Sequence, residues 1–399
     1  MINDDYVYFC SLCIQVAVME ILVCAATNVL HDLLSSSSDE SSDDEVDDAY
    51  DSDMDVAVML LYREEHVKQA QYMEVIKSYS DLDHWRHFRV SRSTAQLITN
   101  FVTPFLDKIY HGGCPPMLGE EMVYIALIYL ANQGAVRLIG DKFGRSESAC
   151  WNCIRVITKI LSENQNHFIE WPSAEQVPAV AAAFQAGFPG VISAVDGCHI
   201  KIHTPLMAQK SYLNYKRFHS IVLMAFVLSN RQFSYVTAGF PGSNHDSYIL
   251  QRSNWWEKAH TNQSTLFPPG EFHVIGDSAF PLCDFMMVPY KQSVHAMSPE
   301  MKTFNRKLSC TRVVVEQVFG DLQNRFRRCQ DIHGQIVNAV DTVVAACVVH
   351  NMCIRNGDMN FAEDCVDPVM SQRVQPTVSG NRTSANGVLK RNMIARFLK

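Results

Sequence analysis

VISAVDGCHIKI, residues 191–202, decides how this chain folds. Upstream, WPSAEQVPAVAAAFQAGFPG (171–190) ends a long stretch of helical spacing. From Val191 the spacing turns extended, and FHSIVLMAFVLS (218–229) and FSYVTAGF (233–240) repeat it between Gly, Asn and Pro punctuation. Three such runs in succession predict a meander. A helix is expected over about Asp246 to Arg252, then a strand in FHVIGD (272–277), and later a helix from Thr311 to Arg328. The sum is a mixed α/β sheet with flanking helices.

Outward from that core, residues 62–170 read as helical. YREEHVKQAQYMEVIKSYS (62–80) leads into SRSTAQLITNFVTPFL (91–106), where Ser91 suits an N-cap because its hydroxyl accepts from an orphan amide. GEEMVYIALIYLANQG, VRLIGDKFG and SESACWNCIRVITKILSEN then form three helices joined at Gly134 and Gly144, with Ser146 or Ser148 capping the third. This is helix-turn-helix spacing. It would present Arg145, Ser146, Ser148 and Asn152 to a major groove, while three short helices joined by glycine also make a plain bundle. Cys150 and Cys153 have metal-ligand spacing but no second pair nearby, so they read as structural thiols in an apolar helix.

The chain has 399 residues, enough for two folded units plus tails, and a formal charge of −8. That charge is uneven: residues 1–62 hold 14 acidic and no basic residues, leaving 28 acidic against 34 basic in the remainder. The folded body is mildly cationic, which permits phosphate binding without demanding it. Thirteen scattered cysteines, an odd number, point to a reducing compartment. The apolar run 6–30 has Glu20 inside it and acidic Asp4 and Asp5 before it, so a packed helix is expected rather than a signal peptide or a membrane span. SSSSDESSDDEVDDAYDSDMD (35–55) is too acidic and polar to form a core and reads as a disordered linker. The expected organisation is therefore an apolar and acidic region at 1–61, a helical domain at 62–170, an α/β core at 171–355 and a tail with a basic end at 356–399.

Asp196 interrupts the first strand, Asp277 ends a later one and Glu316 opens a helical pattern. Carboxylates are the ligands that hard divalent ions take, and two ions about 4 Å apart activate water and stabilise a leaving oxygen. On the last helix Val315, Phe319, Leu322 and Phe326 make the buried stripe. Glu316 lies beside it, in a row with Arg312, Gly320, Gln323 and Arg327, so Gly320 leaves room one turn away and the arginines are placed to touch phosphate. Asp246 follows the turn GFPGSNHD and suits either a fourth ligand or a helix N-cap.

From about residue 85 to 355 the chain resembles the PIF/Harbinger transposases and the Harbinger-derived nucleases of animals, members of the DDE endonuclease group. The motifs that carry this are HFRVSRSTAQLI, LIYLANQGAVRLIGDKFGRSESACWNCI, FIEWPS, FPGVISAVDGCHIKI, GFPGSNHDSYIL, VIGDSAFP, FNRKLSCTRVVVEQVFGDLQNRFR and VVHNMC. The resemblance implies a helical, helix-turn-helix-like domain followed by an RNase H-like catalytic core. It implies catalytic Asp196, Asp277 and Glu316, metal ligation by these three with Asp246, and dependence on Mg²⁺ or Mn²⁺. It further implies cleavage of DNA, a nuclear location and a separate Myb-like DNA-binding partner, with no membrane.

Cys198 in DGCHI stands where the family usually has Thr, on the same strand face as Asp196. His199 is expected to face away, and His350 and Asn351 to make core hydrogen bonds. The RFRR run at Arg325 to Arg328 and the terminal KRNMIARFLK are either phosphate-binding or solvated basic faces. Against a metal-dependent endonuclease stands one alternative, a domesticated, catalytically silent protein that keeps the fold to bind DNA or a partner.

Overall fold

The structure is a computed structural model that describes residues 71–106, 117–184, 187–205, 208–291, 297–358 and 383–398. The apolar run 6–30, the acidic stretch 35–55 and the first residues of the helix expected from 62 lie outside them.

The helical segment forms α1 (Tyr72–Ser78), α2 (Asp81–Phe88), α3 (Arg92–Leu106), α4 (Gly119–Ala131), α5 (Val136–Phe143) and α6 (Glu147–Glu163), with α7 (Val177–Phe184) leading to the sheet. Local chemistry sets their ends. The Ser91 hydroxyl accepts the Thr94 amide at 3.1 Å, and Ser146, not Ser148, caps α6 by accepting from Ala149 at 3.2 Å. Gly144 closes α5 at φ 66°, a conformation open to glycine without a Cβ clash.

Strand β1 (Val191–Ile202) is the centre of a six-stranded sheet. Along one edge it pairs antiparallel with β2 (Ser220–Val227), which pairs antiparallel with β3 (Phe233–Pro241). After α8 (Asp246–Gln251) and α9 (Asn254–Thr261), β4 (His273–Ile275) joins the other edge of β1 in parallel, and β5 (Met286–Met287) extends it. Helix α10 (Pro299–Arg325) follows, then β6 (Asp331–Ile332), parallel to the far end of β1, then α11 (Ile336–Arg355) and α12 (Ala385–Phe397). The order β3-β2-β1-β4-β5, with only β2 running against the others, is that of an RNase H-like sheet.

Because helices cover it, the sheet reads as unbroken apolar runs: all eight residues of β2 and the first eight of β1 are buried. Helices α7 and α10 pack on β1, α11 packs on β3, and α6 lies along α11. One hydrophobic core runs from Tyr72 to Leu398, and residues 68–399 form one compact unit, so the helices of 72–163 and the sheet share an interior. Within it Asn351 accepts the Phe233 amide at 2.9 Å and donates to the carbonyls of Phe168 and Phe233, while His350 bonds the Arg231 carbonyl.

Two features differ from expectation. Helix α10 starts at Pro299, not Thr311, because Ser298 accepts the Met301 amide and proline suits the first turn. Its added turns are polar apart from buried Phe304 and Leu308, which hid the periodicity. The basic carboxyl-terminal run is also not a solvated face: Lys390 donates to the Phe272 carbonyl at 2.8 Å and Arg391 lies 4.0 Å over the Tyr290 ring, docking α12 on the body.

Candidate active site

Ala194 stands opposite Ile275 in the parallel β1–β4 register. Two residues further along each chain come Asp196, in the middle of β1, and Asp277, just past the end of β4, so the register sets the two at the same level of the sheet. Asp196 is fully buried, and its Oδ1 accepts the Gly197 amide at 2.8 Å. The Asp277 Oδ1 accepts the Ala279 amide at 2.8 Å, which folds the Ser278-Ala279 turn around the carboxylate.

Glu316 arrives from α10, which packs on β1. One turn earlier, Arg312 donates from Nη1 to Asp196 Oδ2 at 3.0 Å and from Nη2 to Glu316. Burial opposes the Arg312 charge, but Asp196, Glu316 and Asp277 outweigh it and hold its pKa above the ordinary guanidinium value. The guanidinium is thus the cation that three acids face in this structure. This corrects its expected role as a free phosphate contact. Gly320, the next residue of that helix row, has open space around it, as its position in the row suggested.

Asp246 reaches the strand from the other side. It is the first residue of α8, while His245 takes the cap position. A Cβ placed on Gly197 would lie 2.3 Å from Asp246 Oδ1. The glycine next to Asp196 is therefore the seat of Asp246, a reason for glycine here that strand periodicity alone does not show. Cys198 shares the Asp196 face and receives a contact from Gln323 Nε2 at 3.5 Å, whereas His199, on the other face, bonds Ser220 Oγ at 3.0 Å.

The four acids lie on β1, on α8, after β4 and on α10, with Asp246 against Gly197 and Glu316 linked to Asp196 through Arg312. Their donor set is entirely carboxylate oxygen, the chemistry that Mg²⁺ and Mn²⁺ select, and in that respect the residues fit such an ion. Among the described residues no group of three or more His, Cys, Asp or Glu is arranged as a ready metal site. Arg312 supplies the positive charge instead.

A family model described as DDE superfamily endonuclease matches residues 195–351. The chain is 29% identical over 261 residues to "Putative nuclease HARBI1" of Bos taurus, spanning 63% of this chain and 71% of that protein. The human protein of the same name is 28% identical over 249 residues, or 60% and 68% of the two chains. "Protein ALP1-like" of Arabidopsis thaliana is 25% identical over 300 residues, covering 69% and 71%. Residues 195–351 are thus similar to the DDE superfamily endonucleases, and the longer matched stretches are similar to the proteins named HARBI1 and ALP1-like. No solved structure matches it. The matched segment contains all four carboxylates.

The helix-turn-helix residues fall elsewhere. Arg145 is held by both oxygens of Glu121, at 2.8 and 2.9 Å, with its side chain 42% exposed, Ser146 caps α6, and Ser148 and Asn152 are exposed on that helix. Arg328 of the RFRR run is buried, donating to the Gly134 carbonyl at 2.7 Å over the Tyr129 ring. Cys150 and Cys153 are buried thiols that form no disulfide, and Cys153 Sγ lies 3.4 Å from Met117 Sδ.

Proposed function

We propose that this chain is a divalent-metal-dependent DNA endonuclease of the DDE type. The observation that carries the reading is Arg312, a buried cation in contact with Asp196 and Glu316 and within the field of Asp277. Carboxylates from a strand, the end of its neighbour and a helix do not gather around one point without a positive partner, because their mutual repulsion in a dry site is severe. Asp196, Asp277 and Glu316, supported by Asp246, would hold Mg²⁺ or Mn²⁺, which supplies an activated water and charge stabilisation at the leaving oxygen. The chain's own part is orientation. The Gly197 amide fixes Asp196, the Ala279 amide fixes Asp277, and the bare Cα of Gly197 lets Asp246 approach.

A second reading, a catalytically silent DNA- or partner-binding protein, draws on the same arginine, since a site neutralised by Arg312 has no need of metal. Nicking of supercoiled plasmid separates the two. In the first reading the purified chain nicks with Mg²⁺ or Mn²⁺, and both the Asp196→Asn variant and a chelator abolish it. Nicking at the parental rate by Asp196→Asn sinks the assignment, and no nicking by folded parental protein selects the silent reading. Action on DNA implies residence in the nucleus, and because Arg145 is paired with Glu121 and Ser146 caps α6, a Myb-like partner would supply sequence recognition. A tagged full chain that stays outside the nucleus, alone and with such a partner, counts against this.

A further inference from the structure

Between Asp196 and Asp246 the chain has no Asp or Glu at all, yet it carries Lys201, Lys210, Lys216, Arg217 and Arg231. Two of these five are neutralised, Lys201 by Asp331 at 2.6 Å and Arg231 by Asp321 at 3.1 Å. Lys210, Lys216 and Arg217 are exposed and have no carboxylate partner among the described residues. All three lie in the connection from β1 to β2, the strand that bears Asp196 and its neighbour.

Residues 213–219 of that connection form an ordered turn. Leu213 bridges His219, and buried Asn214 organises the turn between them: its Oδ1 accepts the amides of Lys216 at 2.9 Å and Phe218 at 3.3 Å. Arg217 completes the turn at φ 64°. The Asn214 amide group donates to Ser220 Oγ at 2.9 Å, the same oxygen that bonds His199 of β1. Gly242, in the turn leading to Asp246, donates its amide to the Ser220 carbonyl at 2.8 Å. One buried hub therefore ties the cationic turn both to the Asp196 strand and to the Asp246 turn. At the tip the Tyr215 ring is exposed, braced edge-on by His199, with Lys216 Nζ 5.8 Å from its centroid. A second exposed ring, Tyr248, sits on α8 with Arg252 at 4.6 Å.

We propose that the 214–218 turn is the DNA-holding element of this site: Lys216 and Arg217 grip backbone phosphates beside the cut, and Tyr215 stacks on an unpaired base there. The reading rests on DNA as the substrate. Unpartnered cations beside an exposed ring are the combination that holds a polyanion carrying aromatic faces, and the rigid hub places them at a fixed position relative to the acids. A neutral or cationic partner has nothing to engage at this tip.

The test is fluorescence anisotropy of the full chain with a labelled duplex bearing a single-stranded overhang, in EDTA, from 50 to 200 mM salt. Lys216→Gln with Arg217→Asn removes both charges, and asparagine tolerates the left-handed backbone of Arg217. Two lost phosphate contacts should reduce the salt slope by about 1.8 and weaken binding about 30-fold near 0.15 M salt. Tyr215→Ala should lower affinity for the overhang probe by about tenfold and leave both the slope and blunt-duplex affinity unchanged. The charge-keeping pair Lys216→Arg with Arg217→Lys should bind like the parental chain. Parental affinity and slope in the neutralised variant overturn the proposal, as does a parental chain that binds no DNA. Because binding is read without divalent metal, intact turn-dependent binding with no plasmid nicking would remove the nuclease reading and leave the turn standing.

Discussion

Replacing Arg312 with Met asks whether the buried cation holds the site together. Asp196 is 0% exposed and the Arg312 side chain 18% exposed, with 3.0 Å between Nη1 and Oδ2. Methionine keeps most of the volume but leaves Asp196 with only the Gly197 amide of these two partners. Removing one member of a buried pair costs about 3–5 kcal/mol, mainly because the surviving charge stays desolvated. The compact unit spans residues 68–399, and at about 2.1 cal/mol/K per residue its unfolding entropy is about 0.7 kcal/mol/K, so the midpoint should fall by about 4–7 °C. An ion that binds the freed carboxylates at about a hundred times its Kd returns about 2.7 kcal/mol, or about 4 °C. Parental protein should gain less, because its carboxylates must first release Arg312. The assay is differential scanning calorimetry in EDTA and in Mg²⁺, for the parental chain, Arg312→Met, Asp196→Asn and the double variant. The reasoning is refuted if Arg312→Met melts within 1 °C of the parental chain, or if the double variant loses the full sum of the single losses.

Two further outcomes are expected. Gly197→Ala puts a methyl 2.3 Å from Asp246 Oδ1, so the carboxylate must move: plasmid nicking should fall at least tenfold while calorimetry shows a small shift, and unchanged nicking would remove Asp246 from the site. Stability should also fall with acid through three buried imidazoles. Burial, first among the causes, lowers the pKa of His84 to about 4 and of His273 and His350 to about 3. His273 Nε2 and His350 Nδ1, the nitrogens that would take the proton, have no hydrogen-bond partner among the described residues. Each folded pKa lies below the unfolded value of about 6.5, so each contribution is whole above pH 6.5 and is lost as pH falls toward 3–4. Three such groups remove about 3 kcal/mol between pH 6.5 and 5.5. Calorimetry across that range checks it: His350→Gln should lose about a third of the slope, and a flat midpoint contradicts the assignment.

Much of this was readable in one dimension. The strands at 191–202, 220–227 and 233–241 and the helices at 119–131, 136–143 and 147–163 follow local apolar spacing, and Gly144 and Ser146 mark their ends by chemistry confined to a few residues. The four acids stood out for a similar reason: Asp196 breaks an apolar strand, Asp246 and Asp277 border turns, and Glu316 lies beside an apolar helical stripe. Charge partners were not readable. Arg145 looked free until the fold brought Glu121 beside it, and Arg312 looked like a phosphate contact until β1 set Asp196 against it. The early start of α10 was missed because the apolar residues of its first turns, Met301, Phe304 and Leu308, are separated by Lys302, Thr303, Asn305, Arg306 and Lys307.

The sequence by itself determined the order of strands and helices and which carboxylates border turns, because backbone preference and side-chain periodicity act over a few bonds. Only the tertiary structure decided which of those charges meet. It set Asp196 beside Asp277 through a strand register, seated Asp246 on Gly197, and spent Arg312, Arg145 and Arg328 on internal partners while leaving Lys216 and Arg217 at an open tip. Coulomb energy depends on distance and on local dielectric, and both are properties of the packed chain rather than of residue order.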